Sequence, residues 1–290
     1  AEFHTRSFLL WSRLLCWLLG IGSPGFRGVF RERLSVHRDR RRTPHKTGRV
    51  RDMDADREHL VREVLGAYRR GLFPMAEGRD AAESGLPLGW YRPEQRAVLA
   101  IDHGRVGLET GFRVPRRLRA TVRRRPFAVT TDTAFSRVVR GCAAPRRDTE
   151  SSSSETWSDG RIEAIFGVLH DAGLAHSVEA WRAKPSGELM LVGGVYGLAV
   201  GRVFCAESMF CRPDLGGTDA SKVALVHLVE HCARRGFVLV DTQFVNPHLR
   251  QFGVAEIRGG DYQELLDEVS GDGVPWLPFD PAVRRFVTPS

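Results

Sequence analysis

Apolar positions are most regularly spaced between residues 191 and 257, where three patterns follow one another. Glycine-punctuated alternation predicts a β-hairpin, an amphipathic run predicts one helix, and Phe237–Val240 predicts a buried strand. The strand segments end in polar residues, Glu207 in the hairpin and Asp241 with Gln243 after the buried strand. A carboxylate ending an apolar strand is costly unless it is paired or used, and Gln243 faces the same side two residues on. The pattern therefore indicates either a functional site or a structural ion pair.

Outside this stretch, short helical and strand patterns alternate. Residues 97–101, 127–131 and 176–181 predict strands, and 161–172 predict a helix. A further amphipathic helix is predicted by the spacing of Leu60, Val61, Val64, Leu65 and Tyr68. This mixture predicts an α+β fold class, and 290 residues leave room for two domains.

The positive charge of the chain is concentrated at its beginning. Residues 1–51 contain 12 basic and 3 acidic residues, whereas the remainder contains 31 basic and 32 acidic residues. The arginine-rich run 27–51 has no apolar period, so we expect the extension 1–50 to be disordered. The apolar segment 8–21 is too short to span a bilayer. It is either the core of a signal peptide or an extension with no role in the fold.

A second basic segment lies inside the otherwise neutral body. Seven arginines occupy the thirteen positions 113–125 without interleaved acidic residues. A solvated face would explain some of this density, but the absence of counter-charges favours a partner that carries phosphates.

The metal and cofactor signals are weak. Five scattered cysteines without a C-x-x-C pair are typical of a reducing compartment. His227, Glu230 and His231 match the H-x-x-E-H zinc pattern, but a third ligand is not evident, and we expect a solvated helix face. The glycine turn 212–217 before a helix could receive an anion, as in acetyl-CoA enzymes, but Leu215 replaces the first glycine of that turn. The turn could equally be a simple connection.

Several motifs in unbroken order over about residues 56–270 give the chain a resemblance to a known family. These motifs are Gly71–Met75, Trp90–Pro93, Arg96–Leu99, Glu155–Trp157, Ala175–Trp181, Leu191–Gly197, Phe204–Phe210, Ala220–Lys222 and Asp241–Gln243. In these segments the chain resembles the leucyl/phenylalanyl-tRNA–protein transferases.

The resemblance implies a small N-terminal α/β domain followed by an acetyltransferase-like (GNAT-like) domain, which we place at residues 51–110 and 111–290. It also implies transfer of leucine or phenylalanine from leucyl-tRNA or phenylalanyl-tRNA to proteins that begin with Arg or Lys, which creates a degradation signal. The family needs no metal and no CoA, and we expect a cytoplasmic monomer without membrane contact. The alternatives are an acetyl-CoA-dependent N-acetyltransferase of the same fold and a tRNA-binding or peptide-binding adaptor without turnover.

Roles for individual residues follow from the resemblance. The ester is already activated, so the enzyme mainly orients a neutral amine, whose reference pKa is about 8. Asp241 would accept the proton, Gln243 would orient or relay, and Glu207 would hold the cationic N-terminus. The resemblance places the apolar side-chain pocket at Val195, Phe204, Met209, Leu228 and Val240. It assigns stacking on the terminal adenosine to Trp90 or Tyr91 with Trp157. It assigns the acceptor-stem phosphates to Arg113, Arg116, Arg117, Arg119, Arg123 and Arg124.

Overall fold

The computed structural model describes residues 29–32, 49–76, 88–144, 160–271 and 273–279, with the backbone alone at 29–32, 49–53 and 247. The apolar segment 8–21, most of the basic run 27–51, and Trp157 lie outside the described residues. None of the helices in the described ranges combines the length and apolar character needed to cross a membrane.

A seven-stranded mixed sheet forms the centre of the molecule, in the order β10-β4-β9-β8-β7-β6-β5. Every neighbouring pair is antiparallel except β8 and β9, which are parallel. The strands are β4 (Gln95–Ala100), β5 (Ala128–Thr131), β6 (Ala175–Ala183), β7 (Leu189–Val200), β8 (Val203–Cys211), β9 (Leu239–Gln243) and β10 (Ala255–Arg258).

The parallel pairing of β8 with β9 is short, and the two strands separate where it ends. Strands β8 and β9 pair only from Val203 opposite Leu239 to Cys205 opposite Asp241. Beyond that point β8 continues to Cys211 beside β7, and β9 continues to Gln243 beside β4. The two strands therefore open a gap in the sheet just where the polar residues Glu207 and Gln243 occur.

A smaller sheet lies upstream, with order β1-β3-β2. Its strands are β1 (Val29–Glu32), β2 (Phe73–Met75) and β3 (Gly89–Pro93). Strand β4 follows β3 directly but pairs with β9 and β10 of the large sheet. Part of the expected N-terminal domain 51–110 therefore belongs to the central sheet, and the domain boundary stays a prediction.

Helices cover both faces of the large sheet. They are α1 (Arg49–Arg69), α2 (His103–Val106), α3 (Arg116–Arg124), α4 (Phe135–Ala143), α5 (Gly160–Asp171), a 3-10 turn (Pro213–Leu215), α6 (Ala220–Arg235), α7 (Pro247–Arg250) and α8 (Gly259–Val269). Side chains alternate between two cores, because successive strand residues face opposite sides. Leu239 packs with α1, α4, α5 and α8, whereas Val240 packs with α3 and α6. The α+β class is confirmed.

Gly193 brings the start of α6 against β7. A Cβ atom at this position would lie 2.6 Å from Cβ of Ala220 and 3.0 Å from the backbone nitrogen of Ser221. Only glycine permits so close an approach of helix and strand. The approach holds Ser221 and Lys222 at the edge of the gap between β8 and β9.

The expectation that the H-x-x-E-H pattern lies on a solvated helix face is wrong. The C-terminal segment 273–279 covers this side of α6, and the ring centroid of Trp276 lies 4.4 Å from that of His231. His227 contacts Phe279. Burial, followed by nearby arginines, lowers the pKa of both imidazoles to about 4. The described residues contain no group of three side chains that could hold a metal ion. The pattern reflects packing of neutral histidines under the C-terminal segment.

Candidate active site

A cavity of about 670 Å³ fills the gap between the diverging strands. Its apolar wall contains Val195, Ala206, Met209 and Leu225, and its polar wall contains Glu207, Ser208, Ser221, Gln243 and Asn246. Strand β2 closes one side, and the rim carries Arg212, Asp219, Lys222 and His248. An apolar cavity with a few converging polar groups is the usual form of a small-molecule or cofactor site.

Asp241 lies beneath the cavity and does not line it. Its carboxylate is fully buried. Oδ1 accepts hydrogen bonds from Nε of Arg96 and from the backbone N–H of Gln243, each at 2.9 Å. Oδ2 accepts from Nη2 of Arg96 at 2.5 Å and from the hydroxyl of Tyr262 at 2.8 Å. Four protein donors therefore occupy the carboxylate.

Arg96 is the buried partner that the sequence did not reveal. Its guanidinium lies between the rings of Phe73 and Tyr262, 5.1 Å and 4.6 Å from their centroids. The remaining donor, Nη1, reaches the carbonyl of Gly71 at 2.9 Å. Burial alone would lower the pKa of Arg96, but the Asp241 carboxylate raises it above its ordinary value. An arginine opening an apolar strand was the only available signal.

Gln243 is the point at which this buried network meets the cavity. Its φ angle is +58°, a left-handed conformation that costs a non-glycine residue about 1–3 kcal/mol unless its surroundings enforce it. The hydrogen bond from its backbone N–H to Asp241 provides that enforcement. Its side-chain Nε2 reaches Oε1 of Glu207 at 3.5 Å. Oε1 of Gln243 is then available as an acceptor on the cavity side.

Glu207 lines the cavity from β8 and is only partly exposed. Burial raises the pKa of its carboxyl to about 8. The Tyr68 hydroxyl lowers this pKa and the negative charge of Asp241 raises it, both by less than burial does. At pH 7 the carboxyl is therefore mostly protonated while the cavity holds no cation. A cation that enters the cavity would favour the charged carboxylate.

The structure divides the expected apolar pocket into two groups. Val195 and Met209 line the cavity. Phe204, Leu228 and Val240 are fully buried in the core between the sheet and α6, and they do not line it. Ala206 and Leu225 complete the wall instead, and neither was expected from the sequence.

The aromatic residues expected at the adenosine are placed differently. Trp90 is buried and packs edge-on against Tyr68, with ring centroids 6.4 Å apart. Tyr91 lies beside Phe73 at 6.4 Å and is half-buried. Neither lines the cavity, whereas Phe73 and Phe244 do. Trp157 lies outside the described residues.

The arginine segment forms one exposed face. Helix α3 packs Leu118 and Val122 into the core. Its outward positions carry the exposed residues Arg116, Arg117, Arg123 and Arg124, and Arg113, just before the helix, is also exposed. Arg119 is half-buried, with Nη2 3.3 Å from the carbonyl of Val114. Across the described parts of the chain no carboxylate forms an ion pair with Arg113, Arg116, Arg117 or Arg123.

The glycine turn before α6 has a packing explanation. A Cβ atom on Gly217 would lie 2.5 Å from the carbonyl oxygen of Val192, so this position must be glycine. Gly216 has a φ of +73°, and its carbonyl accepts a hydrogen bond from Arg182 at 2.7 Å. The turn connects β8 to α6 without requiring an anion.

Comparison with known proteins identifies clear relatives. Residues 108–267 match the family model of the leucyl/phenylalanyl-tRNA protein transferases, and residues 61–94 match the model of their N-terminal domain. The chain is 45% identical over 204 residues to the leucyl/phenylalanyl-tRNA–protein transferase of Nitrobacter winogradskyi, which covers 70% of the chain and 80% of the relative.

A second relative and one solved structure are also similar to the chain. The chain is 46% identical over 203 residues to the enzyme of the same name from Paramagnetospirillum magneticum, which covers 70% of the chain and 85% of the relative. Among solved structures, the crystal structure of FemX is similar with 12% identity and a TM-score of 0.41, covering 57% of this chain and 60% of that chain. This structural similarity is too low to define the fold.

Proposed function

Because this chain belongs to the leucyl/phenylalanyl-tRNA–protein transferase family, we propose that the cavity between β8 and β9 is where it transfers the aminoacyl group. The enzyme is an aminoacyltransferase that moves an aminoacyl group from tRNA to protein. One observation supports the location most strongly. The cavity joins an apolar wall, suited to a leucine or phenylalanine side chain, to Glu207 and Gln243, which suit an amine.

The acceptor in this proposal is a protein that begins with Arg or Lys. Its α-amine attacks the ester carbonyl, the peptide bond forms, and the ester bond to the tRNA 3′-oxygen breaks. The proton lost by the amine ends on that 3′-oxygen. The pKa of Glu207 is about 8 while the cavity is empty, close to that of an α-amine, so its carboxylate form can first take the proton that a cationic α-amine must lose before it attacks. Oε1 of Gln243 accepts a hydrogen bond from the attacking amine.

Asp241 receives a different role from the direct proton acceptor expected from the sequence. Its oxygens are occupied by four donors and it does not line the cavity. We assign it to positioning, because it holds the backbone of Gln243. The groups that contact substrate are then Glu207 and Gln243.

The aminoacyl side chain occupies the apolar wall in this proposal. Val195, Ala206, Met209 and Leu225 provide a surface without unpaired donors. Burying a leucine side chain there stabilises the complex by about 1.5–3 kcal/mol. Phe204, Leu228 and Val240 support this wall from the core behind it.

The tRNA lies along α3 in this proposal. Exposed arginines without carboxylate partners are available to phosphates, and such contacts carry no sequence preference. Phe73 and Phe244, at the cavity wall, are better placed than Trp90 to stack on the terminal adenosine. Stacking by Trp157 stays a prediction.

The finer expectations about the whole protein belong to the same proposal. The parallel pair that diverges after Cys205 supports an acetyltransferase-like arrangement of the larger domain. We propose that the protein acts as a cytoplasmic monomer and that the added residue marks its acceptors for degradation.

The test is transfer of labelled leucine from Leu-tRNA to a peptide that begins with Arg, beside one that begins with Ala. We expect label on the Arg peptide and little on the Ala peptide. Equal labelling of both peptides would contradict the acceptor class, and no transfer by the folded protein would contradict the proposed function. Thermal stabilisation by CoA without stabilisation by Leu-tRNA would point to an acetyltransferase instead.

A further inference from the structure

We propose that Arg96 is a positioning residue for the transfer reaction, acting through Asp241 on Gln243. Arg96 does not line the cavity. The inference rests on the role proposed above for Gln243. It concerns how the protein holds that residue in place, and it assigns a function to a buried arginine that lies outside the cavity lining.

The contacts of Arg96 connect both sides of the cavity. On one side, Nε and Nη2 donate hydrogen bonds to the two carboxylate oxygens of Asp241. The same carboxylate accepts a hydrogen bond from the backbone N–H of Gln243. On the other side, Nη1 binds the carbonyl of Gly71, and the guanidinium packs on the ring of Phe73. Phe73 and Gln243 both line the cavity. A single side chain therefore fixes two cavity walls relative to each other.

Gln243 needs such support because of its backbone. A φ of +58° is unfavourable for glutamine, and Asp241 is the acceptor that satisfies its N–H in that conformation. The Asp241 carboxylate can stay in place only while its own charge is paired, since it is fully buried. Arg96 supplies that pairing in a two-pronged geometry, which lysine cannot reproduce. The hydroxyl of Tyr262 adds one further donor.

A purely structural role is the competing explanation. Breaking a buried ion pair destabilises a protein whether or not the pair serves a site. The two explanations differ in what happens to molecules that remain folded. Positioning predicts slow turnover by the folded enzyme, whereas a structural role predicts normal turnover by a smaller folded fraction.

The first experiment compares Arg96→Lys with Leu266→Ala. Leu266 is buried on α8 and forms none of these hydrogen bonds, so it supplies a control for lost stability. We expect Arg96→Lys to lower kcat per folded molecule by about tenfold to a hundredfold, the usual effect of a small misplacement. KM for Leu-tRNA should stay within about twofold, because the apolar wall of Val195, Ala206, Met209 and Leu225 takes no part in the hydrogen bonds of Arg96. Leu266→Ala should keep the wild-type kcat per folded molecule.

Amide hydrogen exchange gives a readout that does not depend on activity. Peptides that contain the Gln243 amide should exchange faster in Arg96→Lys than in the wild type, and at the wild-type rate in Leu266→Ala. If the wild type transfers no leucine, the proposed function fails, and the exchange rates still decide whether Arg96 holds Gln243. Unchanged local exchange in Arg96→Lys would overturn the positioning role.

A double-mutant cycle tests the route through Asp241. If Arg96 acts through that carboxylate, Arg96→Lys combined with Asp241→Asn should lower kcat no more than the more severe single change does. Losses that multiply would mean that the two residues act independently, which contradicts the proposal. Tyr262→Phe removes one donor and leaves the ion pair, so we expect a smaller loss of kcat than with Arg96→Lys.

Discussion

Glu207 differs from an ordinary surface glutamate in that its charge depends on what occupies the cavity. Burial raises its pKa to about 8, so the carboxyl is protonated at neutral pH until a cationic amine enters. The adjacent Gln243 side chain lies 3.5 Å away and offers a neutral partner to either form. In the proposed mechanism, Glu207 is an uncharged glutamic acid in the empty site and becomes the counter-ion of the acceptor amine when the acceptor binds.

This arrangement predicts a pH dependence that belongs to one side chain. The KM for a peptide beginning with Arg should fall as pH rises towards about 8, because the carboxylate form of Glu207 becomes more abundant. The acceptor amine titrates in the same range in every variant. Glu207→Gln should therefore remove only the part of the pH dependence of KM that Glu207 contributes. This part is measured as the difference between the KM profiles of the wild type and the variant from pH 6 to 9. Identical profiles would contradict the assignment.

The same shift has a consequence for stability. The folded pKa of Glu207 lies above the unfolded value of 4.5. The folded state therefore binds more protons between pH 4.5 and about 8, and the free energy of unfolding contributed by Glu207 falls as pH rises through that window. Glu207→Gln should flatten this part of the pH dependence in urea unfolding. An unchanged slope would contradict the burial of the carboxyl.

At the scale of secondary structure, helix α3 combines two functions on opposite sides. Leu118 and Val122 fix it against the core, and its other side presents arginines to solvent. Because Arg116 and Arg117 have no carboxylate partner in the described parts of the chain, their charge is available to a polyanion. We therefore propose that this side of α3 is the one that contacts tRNA.

Reversing charge on α3 should weaken tRNA binding. We expect Arg116→Glu with Arg117→Glu to lower affinity for Leu-tRNA and to reduce the slope of log K against log salt by about 2, one unit for each lost phosphate contact. The matched control is Arg57→Glu with Arg62→Glu, two exposed positions on α1. Filter binding between low and high salt measures both slopes. Equal slopes in the α3 variant and the wild type would refute the assignment.

Sequence patterns predicted the elements better than the contacts between them. The apolar stripe beginning at Leu60 correctly predicts α1, and the alternation after residue 191 correctly predicts the β7–β8 hairpin. No local pattern could show that Arg96 meets Asp241, because 145 residues separate them. The pairing of β7 with β8 shifts register between Tyr196 and Gly197, and this shift affects which face of the sheet Phe204 occupies. No sequence pattern predicts such a shift.

At the scale of the whole molecule, the C-terminal segment completes the core on the α6 face. Trp276 stacks on His176 with ring centroids 4.4 Å apart and also contacts His231, Phe204 and Phe237. Its indole N–H donates to Thr131 at 2.9 Å. The segment therefore covers the core that packs behind the cavity wall.

Low pH should destabilise the packing of the C-terminal segment 273–279 on α6. The folded pKa of His227 and of His231 is about 4, below the ordinary value of 6.5, so the unfolded state binds more protons between these values. The free energy of unfolding should fall as pH drops from about 6.5 to about 4. His231→Phe keeps an aromatic ring beside Trp276 and removes one titrating group, so its urea midpoint should change less between pH 7 and pH 5. An equal change would contradict the packing described for His231.

The most direct test of the proposed site is a substitution that fills the cavity with a larger side chain. Met209 lines it, whereas Met190 is half-buried on β7 outside it, which gives two chemically identical substitutions. Single-turnover transfer of labelled leucine from Leu-tRNA to an Arg peptide should slow by at least about tenfold in Met209→Trp, because the indole displaces the leucine side chain from its productive position. Met190→Trp should transfer within about twofold of the wild-type rate, and both variants should bind Leu-tRNA. Transfer by Met209→Trp at the wild-type rate would contradict the location of the reaction in this cavity.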